Sequence, residues 1–436
     1  MKKVWIDLTD FSVWSGHLTG VQRVIYEVLL RLKDDSGIEL HGFIYIKERN
    51  EIFIADPIKM LEKVEVVSRD DVPLAQNNRL KSMARSLYFG MPQFAREKIT
   101  PRQKEQLIRI SKKTIQKSRK AINASRSLVK AAKTENLVRA EIHKKDTVLV
   151  LGKIWDETEL VDFLSIKHRN IGFKYVQLIY DLIPVIQPHL FGYGLFNPYS
   201  QYLFETLASV DTILCDSMCT ETDVINLAKR LNFSKPNTCV IELGDTPMIK
   251  SKGVKPDFIN ENEPFILSVG TIEVRKNHAL LYQSWKLAKE NNKEFPRLVI
   301  VGSKGWLTDD FLYVNSHDPD TKNVITTHGN IPDDQLKWLY ENCLFTLYPS
   351  IYEGWGLPIA ESLAYGKVCI PSSASSMPEI AGDLLDYISP YDSRQLMELV
   401  EKYLEPKIRR QKESEIRKEY KQRSWDKTAA KVRDSL

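Results

Sequence analysis

Two glutamates with seven residues between them, Glu353 and Glu361, are the side chains in this chain best suited to chemistry. Residues 345–350 read as a short apolar strand closed by Pro349. A helix starts near Pro358, because proline is favoured in a first turn, where its missing N–H costs nothing. Glu353 then sits on the loop and Glu361 one turn into the helix, both at the mouth of a strand–loop–helix unit. Open α/β sheets bind ligands at that mouth. Gly354 and Gly356 let a ligand approach the backbone closely. The helix start, with free N–H groups and its dipole, suits a phosphate. The two carboxylates accept hydrogen bonds from sugar hydroxyls. Phosphate plus polyhydroxyl is the outline of a nucleotide-sugar. The plainer use of the same two acids is to cap and stabilise the helix electrostatically.

A second group is cationic. Arg275 and Lys276 follow the turn Gly270-Thr271, just ahead of a helix at 279–290. Surface cations there would oppose the helix dipole, whereas a pyrophosphate suits them without a metal. Earlier in the chain, Gly20 precedes the stripe Val21, Val24, Ile25, Val28, Leu29 and Leu32, which specifies a helix with Thr19 as N-cap. Arg23, in its first turn, either reaches a phosphate or is solvated. Tyr180 and Asp181 end a strand at 173–180 ahead of Pro184. Asp181 either aims into a cleft or caps that turn.

The run Glu353-Gly-Trp-Gly-Leu-Pro to Glu361 is followed by a strand at 367–371, the serine-rich 372–376, Pro378-Glu379 and Gly382-Asp383. This stretch resembles the E-x7-E region of retaining GT-B glycosyltransferases of family 4. The resemblance covers most of the chain and is weakest from about residue 48 to 146. It implies an α/β fold of two facing doubly wound Rossmann-like domains with a cleft between them. The donor would lie mainly on the second domain and the acceptor on the first. It implies Glu353 on the donor sugar, with Asp181 as the other catalytic group, and Glu361 on the ribose. Arg275 and Lys276, with the backbone at Gly354, Trp355, Gly356 and Leu357, would hold the leaving diphosphate. Gly20 would approach the donor from across the cleft. Arg23, Gly270 and Thr271 join the donor set, as does His328, from the region that cradles the base in the family. The run Asp181-Leu-Ile-Pro184 resembles the family's His-Asp-x-x-Pro segment with Tyr180 in place of the histidine. Tyr180 either offers its hydroxyl or packs.

The frame reads as a first domain over 1–248, a linker at 249–263 and a second domain over 264–412. A tail at 413–436 crosses back to the first domain, anchored by Trp425. The first domain has strands at 4–8, 40–46, 147–151, 173–180, 211–216 and 240–243. The second has strands at 265–269, 298–301, 324–327, 345–350 and 367–371. Residues 191–196, aromatic and glycine-rich, read as a mobile acceptor-side loop.

A hydrophobic share of 43% and a charged share of 27% are those of a soluble globular protein, and 436 residues make two domains. No run of about 18 apolar residues appears. The opening Met1-Lys-Lys turns acidic at Asp7, too soon for a signal peptide. The five cysteines, odd in number and mostly within apolar runs, fit a reducing cytoplasm. No His or carboxylate cluster stands out as a metal site, and Cys215-x3-Cys219 lacks a partner pair. Charge is uneven: residues 79–145 hold nineteen Lys/Arg against four Asp/Glu, a net +15 in a chain of +5. Ile108, Ile115, Ile122 and Val129 recur every seven residues, which predicts a long basic helix at 102–145 with a narrow apolar seam. Such a helix suits an anionic membrane surface, a lipid-pyrophosphate acceptor, an oligomer contact or its own domain. The lack of interleaved aromatics argues against nucleic acid.

The expected function is a retaining, metal-independent hexosyltransferase, without a cofactor beyond its nucleotide-sugar. It would pass a sugar to a glycan or lipid-linked glycan in surface-polysaccharide (O-antigen) assembly. It would work in the cytoplasm or on the inner face of the membrane. Mannose from GDP-mannose is preferred on overall likeness to bacterial family-4 mannosyltransferases, and no single residue decides the base. The alternatives are a catalytically impaired scaffold of the same fold, which Tyr180 favours, and a phosphorylase or epimerase.

Overall fold

The computed structural model describes residues 1–13, 20–62, 137–192, 194–245, 252–329 and 331–436. The first sheet contains β1 (Lys2–Asp7), β2 (Ile38–Ile46), β3 (Glu51–Ala55), β4 (Thr147–Val150), β5 (Lys174–Ile179), β6 (Thr212–Cys215) and β7 (Thr238–Val240). Their order is β3-β2-β1-β4-β5-β6-β7, parallel except for the β2–β3 pair. The second sheet contains β8 (Phe265–Val269), β9 (Arg297–Val301), β10 (Ile325–His328), β11 (Thr346–Tyr348) and β12 (Cys369–Pro371), all parallel in the order β10-β9-β8-β11-β12. Continuous apolar runs such as Val148-Leu149-Val150 and Leu298-Val299-Ile300 are fully buried, as strands covered on both faces must be.

Each sheet reverses its winding once. In the second sheet the chain leaves β8 towards β9 and β10, then returns to β11 on the other side. The loops after β8 and β11 are therefore neighbours at a topological switch point, where ligands of such sheets bind. The first sheet has the same break between β1 and β4.

Several expectations change here. Strand β3 lies in the region where the resemblance is weakest and no strand was expected, and residues 137–140 run beside it. Ile54 N–H donates to Val138 O and Ala140 N–H to Ile52 O, and Arg139 bridges Phe53. Residues 137–145 are thus not the end of a helix. The seam at Ile108, Ile115, Ile122 and Val129 lies outside the described residues, as does Thr19. The charged helix Pro406–Glu419 stays on the second domain, burying Ile416 there. The helix that crosses back is Trp425–Asp434, packed on Gly20–Leu32. Thr428 Oγ1 donates to Glu242 O at 2.8 Å, and Gly244 lies so close to the Trp425 ring that a Cβ would not fit. At the start of the aromatic stretch 191–196, Phe191 stacks on Trp306 of the second domain, with ring centroids 5.3 Å apart. The Trp306 indole donates to Leu190 O at 2.9 Å.

Candidate active site

The loops after β8 and β11 bring together Arg275, Lys276 and Glu353. The β8 loop turns through the short 3-10 helix Val274–Lys276 and ends at Asn277, which is left-handed with φ 59°. Its amide donates to Pro349 O (3.1 Å) and Pro390 O (2.7 Å), tying this loop to the one after β11. Glu353 bridges the two cations. It accepts a short hydrogen bond from Arg275 Nη1 and another from Lys276 Nζ at 2.6 Å. Lys276 Nζ also donates to Tyr348 Oη at 2.6 Å. Arg275 Nε lies 2.6 Å from Glu273 Oε1, an ion pair not aligned as a hydrogen bond. Side-chain exposure is 18% for Arg275, 11% for Lys276, 7% for Glu353 and 2% for Glu273, so water screens these charges weakly. Burial by itself would raise the Glu353 carboxyl, but Arg275 and Lys276 overrule it and hold it at about 2. Burial pushes the Glu273 carboxyl up, against the pull of Arg275.

Glu361 lies one turn into the helix Leu357–Ala364, as expected. It faces the first domain: Arg23 Nη1 is 3.2 Å from Oε1, and Tyr340 Oη donates to Oε2 at 3.0 Å. Burial raises its carboxyl, with Arg23 opposing. Arg23 is thus placed on a carboxylate rather than in solvent. Gly20 faces Leu357 across the cleft, which an added Cβ would meet at 3.6 Å.

Gly354 is pressed against the carbonyl of Tyr180 at the end of β5, leaving no room for a Cβ. The Tyr180 hydroxyl donates to Leu151 O at 2.7 Å, so this side chain packs inward and points no group at the cluster. Asp181 Oδ1 accepts from Ile183 N–H at 3.0 Å, the turn-capping contact. Its carboxyl is nonetheless close enough to feel Arg275, Glu353 and Lys276, with burial raising it above all. Asp181 therefore caps the turn while its carboxyl lies within electrostatic reach of the cation pair. Gly356, with φ 125°, starts the Leu357–Ala364 helix. Trp355 is buried beneath the Arg423 guanidinium, 5.1 Å from its ring. Gly270 supports the turn, where its carbonyl excludes any Cβ at Gly302, and Thr271 is exposed beside it. His328 is not brought to the cluster. Its ring stacks on Phe258 (3.7 Å, 11°) and contacts Thr326 Oγ1 at 3.1 Å.

Sequence reasoning missed four supports. Glu273 and Tyr348 flank the cations, Tyr340 orients Glu361, and Glu379 joins the domains. The Glu379 carboxylate accepts Met218 N–H and Cys219 N–H, both at 2.8 Å, at the start of the helix Met218–Arg230. Nearby, Tyr352 Oη donates to Asp223 Oδ2 at 2.7 Å. A second-domain acid thus caps a first-domain helix. Glu379→Ala is expected to lower unfolding stability by about 1 kcal/mol in urea denaturation, the scale of a lost N-cap. An unchanged midpoint would mean that the domains do not meet there in solution. The signal for Glu273 was its place two residues before Arg275, and for Glu379 its place after Pro378. The two tyrosines could not be found without the fold.

Among the described residues no helix is long and apolar enough to cross a membrane.

Comparison with known proteins agrees with this geometry. Residues 251–423 match the family model "Glycosyl transferases group 1". The chain is 37% identical over 120 residues to O-antigen chain mannosyltransferase B of Escherichia coli, covering 27% of this chain and 31% of that protein. It is 25% identical over 248 residues to the serotype-specific mannosyltransferase WbdA of Escherichia coli, covering 55% of this chain and 30% of that one. The chain thus spans about a third of the length of these curated relatives. Among solved structures, Anabaena HepE in complex with UDP superposes with a TM-score of 0.55 at 12% identity, each chain covered in full. Sucrose-phosphate synthase from Thermosynechococcus elongatus gives 0.57 at 14% identity, covering 100% of this chain and 98% of that one. Residues 251–423 are therefore similar to the group 1 glycosyl transferases, and the chain as a whole has the GT-B fold.

Proposed function

We propose that the protein is a retaining, metal-independent hexosyltransferase of family 4. It moves mannose from GDP-mannose to a glycan or lipid-linked glycan in surface-polysaccharide assembly. The observation that supports a transferase best is the meeting of Arg275, Lys276 and Glu353 at the β8/β11 switch point, facing Asp181 of the first domain. Two side-chain cations supply the positive charge that a leaving diphosphate needs as its negative charge develops. Glu353 accepts hydrogen bonds from the donor sugar, and Glu361 from the ribose. Mannose draws support from the E. coli relatives, which are named mannosyltransferases. The presence of Arg275, Lys276, Glu353 and Glu361 argues against a catalytically impaired scaffold, the reading that Tyr180 favours.

The test is a thermal-shift panel of nucleoside diphosphates, followed by transfer from the matching nucleotide-sugar in the presence of chelator. GDP is expected to give the larger shift, and a larger shift with UDP would overturn the choice of donor. Sugar release that needs no acceptor would favour a phosphorylase or epimerase instead. Glu361→Ala is expected to weaken nucleotide binding by about 1–3 kcal/mol, since contacts to the ribose hold ground and transition states alike. Unaltered calorimetric affinity in that variant would remove Glu361 from the ribose.

A further inference from the structure

Arg275 and Lys276 already hold an anion, and it is part of the protein. Glu353 spans both cations with one oxygen on each, and Glu273 takes the Nε edge of Arg275. Two positive and two negative side chains thus neutralise one another in a largely buried space. A diphosphate brought into this group as it stands would face two carboxylates at low dielectric, which is strongly unfavourable. The repulsion is reduced by one charge if one carboxylate leaves as the phosphates arrive.

We propose that Glu353 is the resident anion of the diphosphate subsite, that donor phosphates bind by exchange with its carboxylate, and that the exchange frees it for the sugar. This rests on the nucleotide-sugar reading of the site. Glu353 is the acid whose displacement frees both cations, since it is bonded to each. Its backbone stays in place during the exchange: Ser375 Oγ accepts from Glu353 N–H at 2.9 Å, and Ser376 Oγ donates to Glu353 O at 3.0 Å. A side-chain rotation is therefore enough. Glu273, at 2% exposure, stays beneath Arg275 and keeps one edge of its fork engaged. The exchange also makes Glu353 a determinant of specificity. A ligand must bring as much negative charge as it evicts, so a nucleoside without phosphates gains nothing from the two cations.

The experiment is calorimetry of UDP, GDP and the parent nucleosides with wild type, Glu353→Gln and Glu353→Ala, with urea denaturation as the folding check. Both variants are expected to bind the preferred diphosphate more tightly, on the order of tenfold, because the competing anion is gone. Nucleoside affinity is expected to stay as in wild type. Adding Arg275→Ala to Glu353→Gln is expected to erase the gain. If wild type binds a diphosphate and neither folded variant binds it more tightly, the exchange is wrong and the site stands. If none of the three proteins binds a diphosphate, the nucleotide-sugar reading falls, and the exchange with it.

Discussion

Arg275→Met is expected to lower the unfolding free energy by about 3–5 kcal/mol, the scale for removing one partner of a buried ion pair. Methionine fills much of the arginine's volume, so the loss is chiefly electrostatic. Glu353 and Glu273 would be left with Lys276 alone, itself buried and with its ammonium already disfavoured. The effect carries a pH signature. In wild type the Glu353 carboxyl is held at about 2, below the ordinary 4.5. Its stabilising contribution is therefore present above about pH 4.5 and is lost as pH falls towards 2. Without Arg275, burial, already the largest single influence on this carboxyl, is opposed chiefly by Lys276, and the folded-state value is expected above the ordinary one. The variant should then gain stability as pH falls from about 7 to 5, because protonation relieves the buried charge. Urea midpoints at both pH values, for wild type and variant, measure this. A wild-type midpoint at pH 7, or no difference between variant midpoints at the two pH values, would show that Arg275 does not hold Glu353 in solution. The same variant should lose diphosphate binding.

Much of this arrangement was legible in the sequence, because it depends on short-range signals. Strands such as β4, β6, β9 and β12 are continuous apolar runs ending at a glycine, a proline or an acid, and they appear close to where they were expected. Glu353 and Glu361 were found through the glycines and Pro358 that shape the loop between them. What the sequence hid are contacts across the cleft. Nothing near Arg23 announces a partner 338 residues away, yet its guanidinium sits on Glu361. Tyr180 could not be decided from a motif, since its role depends on whether Leu151 O lies within reach, which is set by β4–β5 register. His328 lies apart from the cluster for a related reason. It sits at the end of a strand like Tyr348 and Val269, but β10 is the edge of the sheet, and linker Phe258 covers the ring. Position in the strand order, which no local pattern encodes, separates it from the loops after β8 and β11.

Gly354→Ala should slow transfer by about a hundredfold, the scale of a 1 Å misplacement at a reacting centre, while each domain keeps its own stability. The Tyr180 carbonyl occupies the space a Cβ would need, and Asp216 Oδ2 lies 3.1 Å from the same point. Backbone on one side and a buried carboxylate on the other leave little that can move. Thr220 Oγ1 lies 2.9 Å from Asp216 Oδ1 and 3.3 Å from Tyr180 O, with one hydroxyl proton to give to either, and backs both groups from behind. The alanine is tolerable within its own loop, because Gly354 is not among the glycines with positive φ. The clash is thus confined to the meeting of the two domains, and the variant has to hold the cleft ajar. Gly356→Ala separates the two effects. Its φ of 125° strains any other residue, so that substitution should lower the stability of the second domain by about 1–3 kcal/mol. For Gly354→Ala, the urea midpoint and nucleoside-diphosphate affinity should stay near wild type, small-angle scattering should show a larger radius of gyration, and transfer should collapse. Transfer at the wild-type rate with an unchanged radius would mean that the loop yields after all, and that Glu353 reaches the sugar without the contact between Gly354 and Tyr180.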